Sequence, residues 1–247
     1  MTPAIHVNQL CKRFKGQTLN AVDHISFDIQ KGEIFGLLGP NGAGKTTTIN
    51  MLCGLIHMDS GDININGYHI SQLDQIKLQT GFVPQQNALF PKLTAFENLY
   101  YFAALYNIKK NQAIERINDL LKCFELHQHA AKLTNTFSGG MKRRLNLIAA
   151  LIHNPKILIL DEPTSGVDVQ SRSMIIDYLK SYARQGNTVL YTSHLLEEAQ
   201  QLCSYIGIID HGRMVIQGQP EQLISDLGNS SRLDDLFIHY TGHQVRD

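Results

Sequence analysis

The sequence has no net charge: 22 Lys+Arg balance 22 Asp+Glu in 247 residues. A broad basic field of the kind that binds bulk nucleic acid is therefore excluded. The four cysteines, Cys11, Cys53, Cys123 and Cys203, are scattered, with no Cys-x-x-Cys pair and no zinc spacing. They read as ordinary thiols of a reducing compartment. No apolar run approaches the roughly 20 residues that cross a bilayer, and the run at residues 145–152 is interrupted by Asn146. The opening MTPAIHVNQL has no basic segment followed by an apolar one, so no signal peptide is expected. Low-complexity tracts and internal repeats are also missing, and at 43% hydrophobic the chain is too apolar for disorder. The expectation is a soluble chain long enough for one large α/β domain with a subdomain, any membrane role coming through a partner.

Residues 4–7 and 25–29 alternate as strands do, with Lys31-Gly32 as a turn. Residues 34–38 form a compact apolar run that suits a buried strand and ends in a glycine-rich loop. Ile49, Leu52, Cys53 and Ile56 then fall at helical spacing, which predicts a helix running to Ile56. Residues 61–70 alternate again around a turn at Asn66-Gly67. From about Gln86 to His153 the period is helical, with Phe96, Leu99, Tyr100, Ala103 and Ala104, then Ile114, Ile117, Leu120, Leu121 and Phe124. Strands at 157–160, 188–192 and 206–209 alternate with helices near 171–185 and 195–203, and His211-Gly212 makes a hairpin into 214–216. Strands alternating with helices predict a parallel sheet covered on both faces.

Two segments carry chemistry. Gly39-Pro40-Asn41-Gly42-Ala43-Gly44-Lys45-Thr46 fits G-x-x-x-x-G-K-[ST] without mismatch, between a strand and a helix. Glycines let successive N–H groups converge on phosphate oxygens, and the helix start adds its positive end. Lys45 supplies a point charge, Thr46 a hydroxyl for Mg²⁺, and Thr47 a further hydroxyl. The second segment is Asp161-Glu162-Pro163, at the end of an apolar strand, where α/β sheets bind ligands. Adjacent strand residues point to opposite sides, so Asp161 is expected to serve Mg²⁺ and Glu162 to orient or deprotonate the attacking water.

Together with Phe137-Ser138-Gly139-Gly140-Met141, these residues resemble the ATP-binding subunits of ABC transporters. The resemblance implies an α/β P-loop NTPase (RecA-like) core with an antiparallel β subdomain and a helical subdomain. In this single ABC ATPase domain the core would span 1–85 and 156–220, the helical part 86–155, and a short extension 221–247. It further implies that Gln85 touches Mg²⁺ and water, that His194 contacts the γ-phosphate, and that Phe14 stacks on adenine. Ser138, Gly139, Gly140 and Asp168 would complete the ATP site of a second copy of the chain. Partners implied are that second copy, or a related subunit, and an integral membrane permease. The place implied is cytoplasmic, on the inner face of the cell membrane. Ser-Gly-Gly-Met, Thr164-Ser165-Gly166-Val167-Asp168 and the tail Leu233-Asp234-Asp235-Leu236-Phe237 resemble the branch that exports drugs, lipids or polysaccharides. Met141 departs from the usual Gln, and a thioether cannot donate as an amide does.

The alternative is a non-transport ABC ATPase acting on the ribosome or nucleic acid. One cassette and the lack of sustained heptads argue against it, and no direct nucleic acid partner is expected. Three further features take plain readings. His127-x-His129 has no companion ligands and reads as a solvated helix end. Lys142-Arg143-Arg144 reads as a solvated or phosphate-facing face, and Leu99-Tyr100-Tyr101-Phe102 as helix core.

Overall fold

The computed structural model describes residues 2–227 and 232–242. Its strands are β1 (Ile5–Lys12), β2 (Val22–Ile29), β3 (Ile34–Leu38), β4 (Ser60–Ile65), β5 (Tyr68–His69), β6 (Thr80–Val83), β7 (Ile157–Asp161), β8 (Thr188–Ser193), β9 (Tyr205–Asp210) and β10 (Arg213–Gly218). The helices are α1 (Lys45–Leu52), α2 (Leu73–Gln79), α3 (Ala95–Leu105), α4 (Lys110–Cys123), α5 (Gly139–Leu151), α6 (Val169–Arg184), α7 (Leu196–Leu202), α8 (Pro220–Asp226) and α9 (Leu233–Thr241). Strands β2-β1-β4-β5 form an antiparallel sheet. The second sheet has the order β10-β9-β3-β8-β7-β6. It is parallel from β9 to β6, with β10 added antiparallel at one edge. The α/β expectation holds, and the hairpin at His211-Gly212 is the β9–β10 connection.

Strands β3, β7 and β8 are buried at every residue, as a central strand covered on both faces must be. Their alternation sorts the core into two clusters. Ile157 and Ile159 of β7 pack with Phe35, Leu37 and Leu190 under the antiparallel sheet and α1. Leu158 and Leu160 pack with Leu38, Val189 and Tyr191 against the helices on the other face. Phe35 lies in the first cluster, fully buried, with Phe27 at 5.2 Å and Tyr205 at 5.9 Å between ring centroids. Phe35→Ala is expected to destabilise the fold by about 3–5 kcal/mol, read as a lower urea midpoint at unchanged slope.

The predicted turn at Asn66-Gly67 joins β4 to β5 with φ of 50° and 86°, the positive pair that a type I′ hairpin turn needs. Helix α1 is shorter than its apolar spacing predicts. It ends at Leu52, Cys53 caps it, and Gly54 (φ 67°) turns the chain. Ile56 reaches the same core from outside the helix. Helix α2 and strand β6 fall in residues 73–83, for which the sequence pattern predicts nothing. In α3 the buried side is Ala95, Asn98, Leu99 and Ala103, whereas Tyr100 and Tyr101 are exposed. The expected core stretch at 99–102 is thus only partly core. His127 and His129 lie on one short 3₁₀ turn. The predicted tail motif opens α9, which buries Leu233, Leu236 and Phe237, and the Leu233 N–H donates to Gln200 Oε1 of α7 at 3.1 Å. All four cysteines are free: Cys11 and Cys203 are buried, Cys53 is half-buried and Cys123 is exposed. Among the described residues, no helix is long and apolar enough to cross a membrane.

Candidate nucleotide site

Strand pairing decides where the polar groups gather. Leu38 pairs with Ser193, Asp161 with Thr192, and Val83 with Leu160, all in parallel. The segments leaving β3, β8, β7 and β6 therefore emerge side by side at one carboxyl edge of the sheet. In that order they carry the glycine loop, His194, Asp161-Glu162 and Gln85.

The glycine loop closes on the start of α1. Gly44 has φ 107°, and a Cβ there would lie 2.4 Å from the Ala21 carbonyl oxygen, so only glycine fits. Gly39, Pro40, Ala43 and Gly44 are buried, while Asn41 and Gly42 are exposed. Lys45 is 5% exposed and curls over the loop, its Nζ donating to Gly39 O at 2.7 Å and Pro40 O at 3.1 Å. Burial lowers its pKa, and the Glu162 and Asp161 charges work the other way. Thr46 is exposed and Thr47 half-buried at the helix start. The Thr48 hydroxyl instead donates to Gly44 O at 2.9 Å.

Asp161 is the last residue of β7, and its Oδ1 accepts from Thr192 Oγ1 at 2.8 Å. The strand does not continue through Glu162, so the expected alternation across the two carboxylates is corrected. Glu162 has φ 48°, in the left-handed region, and its N–H donates to the same Thr192 hydroxyl at 3.0 Å. Its side chain is thereby turned within the edge. Glu162 Oε2 accepts from Gln85 Nε2 at 3.2 Å and lies 3.3 Å from His194 Nδ1. Gln85, Glu162 and His194 are thus brought together, as expected from three separate segments. Asp161 and Thr46 offer hard oxygen donors of the kind Mg²⁺ takes, and Gln85 adds its amide oxygen, since its NH₂ faces Glu162.

Phe14 is 43% exposed, so it is no core residue. It shares a cleft of about 640 Å³ with Gln17, Ala21, Gly42, Gly212 and Arg213, beside the glycine loop. Ser138 caps α5 by accepting the Met141 N–H at 3.2 Å, and Gly139 is exposed next to it. Asp168 caps α6, accepting from Ser171 N and Ser171 Oγ at 2.9 Å each, which pulls its carboxyl pKa down. A Cβ on Gly140 would sit 2.5 Å from Asp168 Oδ2, so the two helix starts abut. Ser138, Gly139, Gly140 and Asp168 therefore form one patch. Met141 turns inward and packs, partly buried, on the helical side of the core.

Sequence reasoning missed three residues here. Thr192, immediately before Ser193-His194, links Asp161 to Glu162. Glu198 of α7 accepts from Tyr191 OH and Thr164 Oγ1 at 2.6 Å each and has Arg172 Nε 3.0 Å from its other oxygen. It ties the segment between Glu162 and Asp168 to the helix after His194. Arg143, expected on a solvated or phosphate-facing surface, is 4% exposed and directed into the protein.

A glycine loop opening a helix, an acidic strand end and a parallel sheet define a P-loop nucleoside triphosphatase. Residues 22–165 match the family model described as ABC transporter. The chain is 48% identical over 211 residues to the linearmycin resistance ATP-binding protein LnrL of Bacillus subtilis, covering 85% of this chain and 68% of that one. It is 41% identical over 225 residues to the Nod factor export ATP-binding protein I of Ralstonia nicotianae, covering 91% and 70%. Among solved structures, an ATP-binding subunit of an ABC transporter superposes with a TM-score of 0.86 at 28% identity, over 96% of this chain and 99% of that one. A dimeric ATP-binding cassette in a post-hydrolysis state, bound to ADP and Pi, gives 0.79 at 26% identity over 87% and 98%. The chain belongs to the ABC transporter family, and it is an ATP-binding ATPase of that family.

Proposed function

We propose that this chain is the ATP-hydrolysing subunit of a membrane exporter and works as a head-to-tail pair. The observation that carries the reading is that one chain bears two distinct groups of polar residues. The sheet edge gathers Lys45, Gln85, Asp161, Glu162 and His194, while Ser138, Gly139, Gly140 and Asp168 form their own patch. Each nucleotide lies on Phe14, Gly39, Pro40, Asn41, Gly42, Ala43, Gly44, Lys45, Thr46 and Thr47 of one copy. The start of α5 in the other copy supplies N–H donors and its positive end to the γ-phosphate. Thr46, Asp161 and Gln85 would hold Mg²⁺, which would neutralise charge on the transferring phosphoryl oxygens. Glu162 orients the attacking water and takes its proton, steadied by Gln85 and His194.

A permease at the inner face of the cell membrane is the second partner. It is favoured by an apolar groove lined by Cys53, Leu55, Phe82, Phe102, Tyr106 and Ala149, with Leu55 61% and nearby Leu105 60% exposed. The groove lies between the core, at 1–85 and 156–220, and the helical part at 86–155. Motion between these parts is the stroke passed to the membrane, with 221–247 as an appended extension; residues 228–231 and 243–247 of it lie outside the described residues. Export as the direction follows the name of the Nod factor export relative.

Gly139→Val tests the pairing. A Cβ at Gly139 meets only the Gly166 carbonyl oxygen, at 3.7 Å, so the isolated fold accepts the change. Turnover is expected below a tenth of wild type, with unchanged nucleotide affinity of the monomer and no ATP-driven pair in light scattering. Unaltered turnover would remove the shared site. Co-purification of the tagged chain from membranes with an integral membrane protein tests the permease.

A further inference from the structure

We propose that Arg143 is a positioning residue for hydrolysis: its guanidinium fixes the Glu162 backbone and the Gln85 segment in one frame from the patch-bearing helix α5. A guanidinium has five N–H donors, and all five are used here. Nε donates to Pro163 O at 2.7 Å. Nη1 donates to Pro84 O at 2.6 Å and Gln85 O at 3.1 Å. Nη2 donates to Asp161 O at 2.8 Å and Glu162 O at 2.5 Å. Every acceptor is a backbone carbonyl, and among the described residues no carboxylate enters the fork. Burial opposes the charge, while the nearby Asp161 and Glu162 charges favour it. The acceptors come from two segments, one after β6 and one at the end of β7, and the donor comes from a third element.

The arrangement bears on chemistry through Glu162. A left-handed Glu holds its place only when the surrounding bonds over-determine it. On one side its N–H is held by Thr192. On the other, its carbonyl and those of Asp161 and Pro163 are held by Arg143. The same guanidinium anchors the backbone of Gln85, whose amide reaches Glu162 Oε2. Arg143 hydrogen-bonds to neither side chain. It sets the two backbones from which those side chains meet.

The inference rests on Glu162 as the hydrolytic group, so Glu162→Gln and wild type are assayed in parallel. Arg143→Gln keeps an amide but loses most donors, and its kcat is expected to fall about 30- to 100-fold with KM for ATP within about twofold. Arg143→Lys keeps the charge and three donors and is expected to recover kcat only in part, to about three- to tenfold below wild type. In the Glu162→Gln background, Arg143→Gln should lower the residual rate no further, because both act through one group. A merely structural arginine predicts lower stability with normal kcat per folded molecule, or additive losses, and either result overturns the proposal. Should Arg143→Gln not fold, Arg143→Lys decides alone: a three- to tenfold lower kcat at unchanged KM supports the proposal, and unchanged kcat overturns it. If Glu162→Gln keeps ordinary turnover, the reading of the site fails rather than this inference alone.

Discussion

Glu162→Gln is expected to lower ATP turnover at least about a hundredfold while ATP still binds and still joins two copies. The amide has nearly the shape of the carboxylate, so the contacts of Gln85 and His194 with this side chain are largely kept. What the amide cannot do is accept a proton from water as the nucleophilic oxygen approaches phosphorus. General base catalysis of this kind contributes about 10²–10⁴-fold. Phosphate release at saturating ATP measures the loss, and light scattering with ATP measures the pair. Turnover near wild type would take Glu162 out of the reaction.

Lys45→Ala is the second large effect, and it falls on binding. The Lys45 ammonium donates to the Gly39 and Pro40 carbonyls of its own loop. Its pKa is already lowered by burial, so a phosphate oxygen is a better partner than the one it has. Charge-assisted hydrogen bonds contribute about 1.5–3 kcal/mol, which corresponds to a roughly 10- to 150-fold weaker affinity for ATP. The free protein should melt within a few degrees of wild type, because the deletion removes a buried charge as well as its two bonds. Titration with a fluorescent nucleotide and a thermal scan separate the two expectations. Wild-type affinity in this variant would remove the loop from phosphate binding.

The sheet edge was legible because its residues stand in register with strand ends. Residues 34–38 and 157–160 announce buried strands; the first runs into glycines and the second into carboxylates. Ser138 was legible as a helix start for a related reason: a small polar side chain caps the backbone N–H groups that a helix leaves open. Asp168 came through the resemblance alone, and its place at the start of α6 was not read. Arg143 was not legible. Within Lys142-Arg143-Arg144 nothing local separates the buried arginine from its neighbours, and its five acceptors are carbonyls, which every residue has. The left-handed turn at Glu162 was hidden too, since an acidic residue after a strand carries no mark of its φ angle. Helix α1 misled in the opposite way: Ile56 continues the apolar spacing although the helix has ended, because burial, which the spacing reports, continues past Gly54. The four-residue β6 offers too few positions for any period to show.

The thiols give the molecule a built-in reporter position. Burial raises the pKa of Cys53 to about 12 and that of Cys203 further, so neither yields thiolate at neutral pH. Cys11 is enclosed, and Cys123 alone is exposed, at the end of α4. A maleimide dye would therefore attach first at Cys123, on the helical part, without any native cysteine being replaced. Paired with one acceptor introduced on the antiparallel sheet, it would let energy transfer test the proposed motion of the helical part against the core.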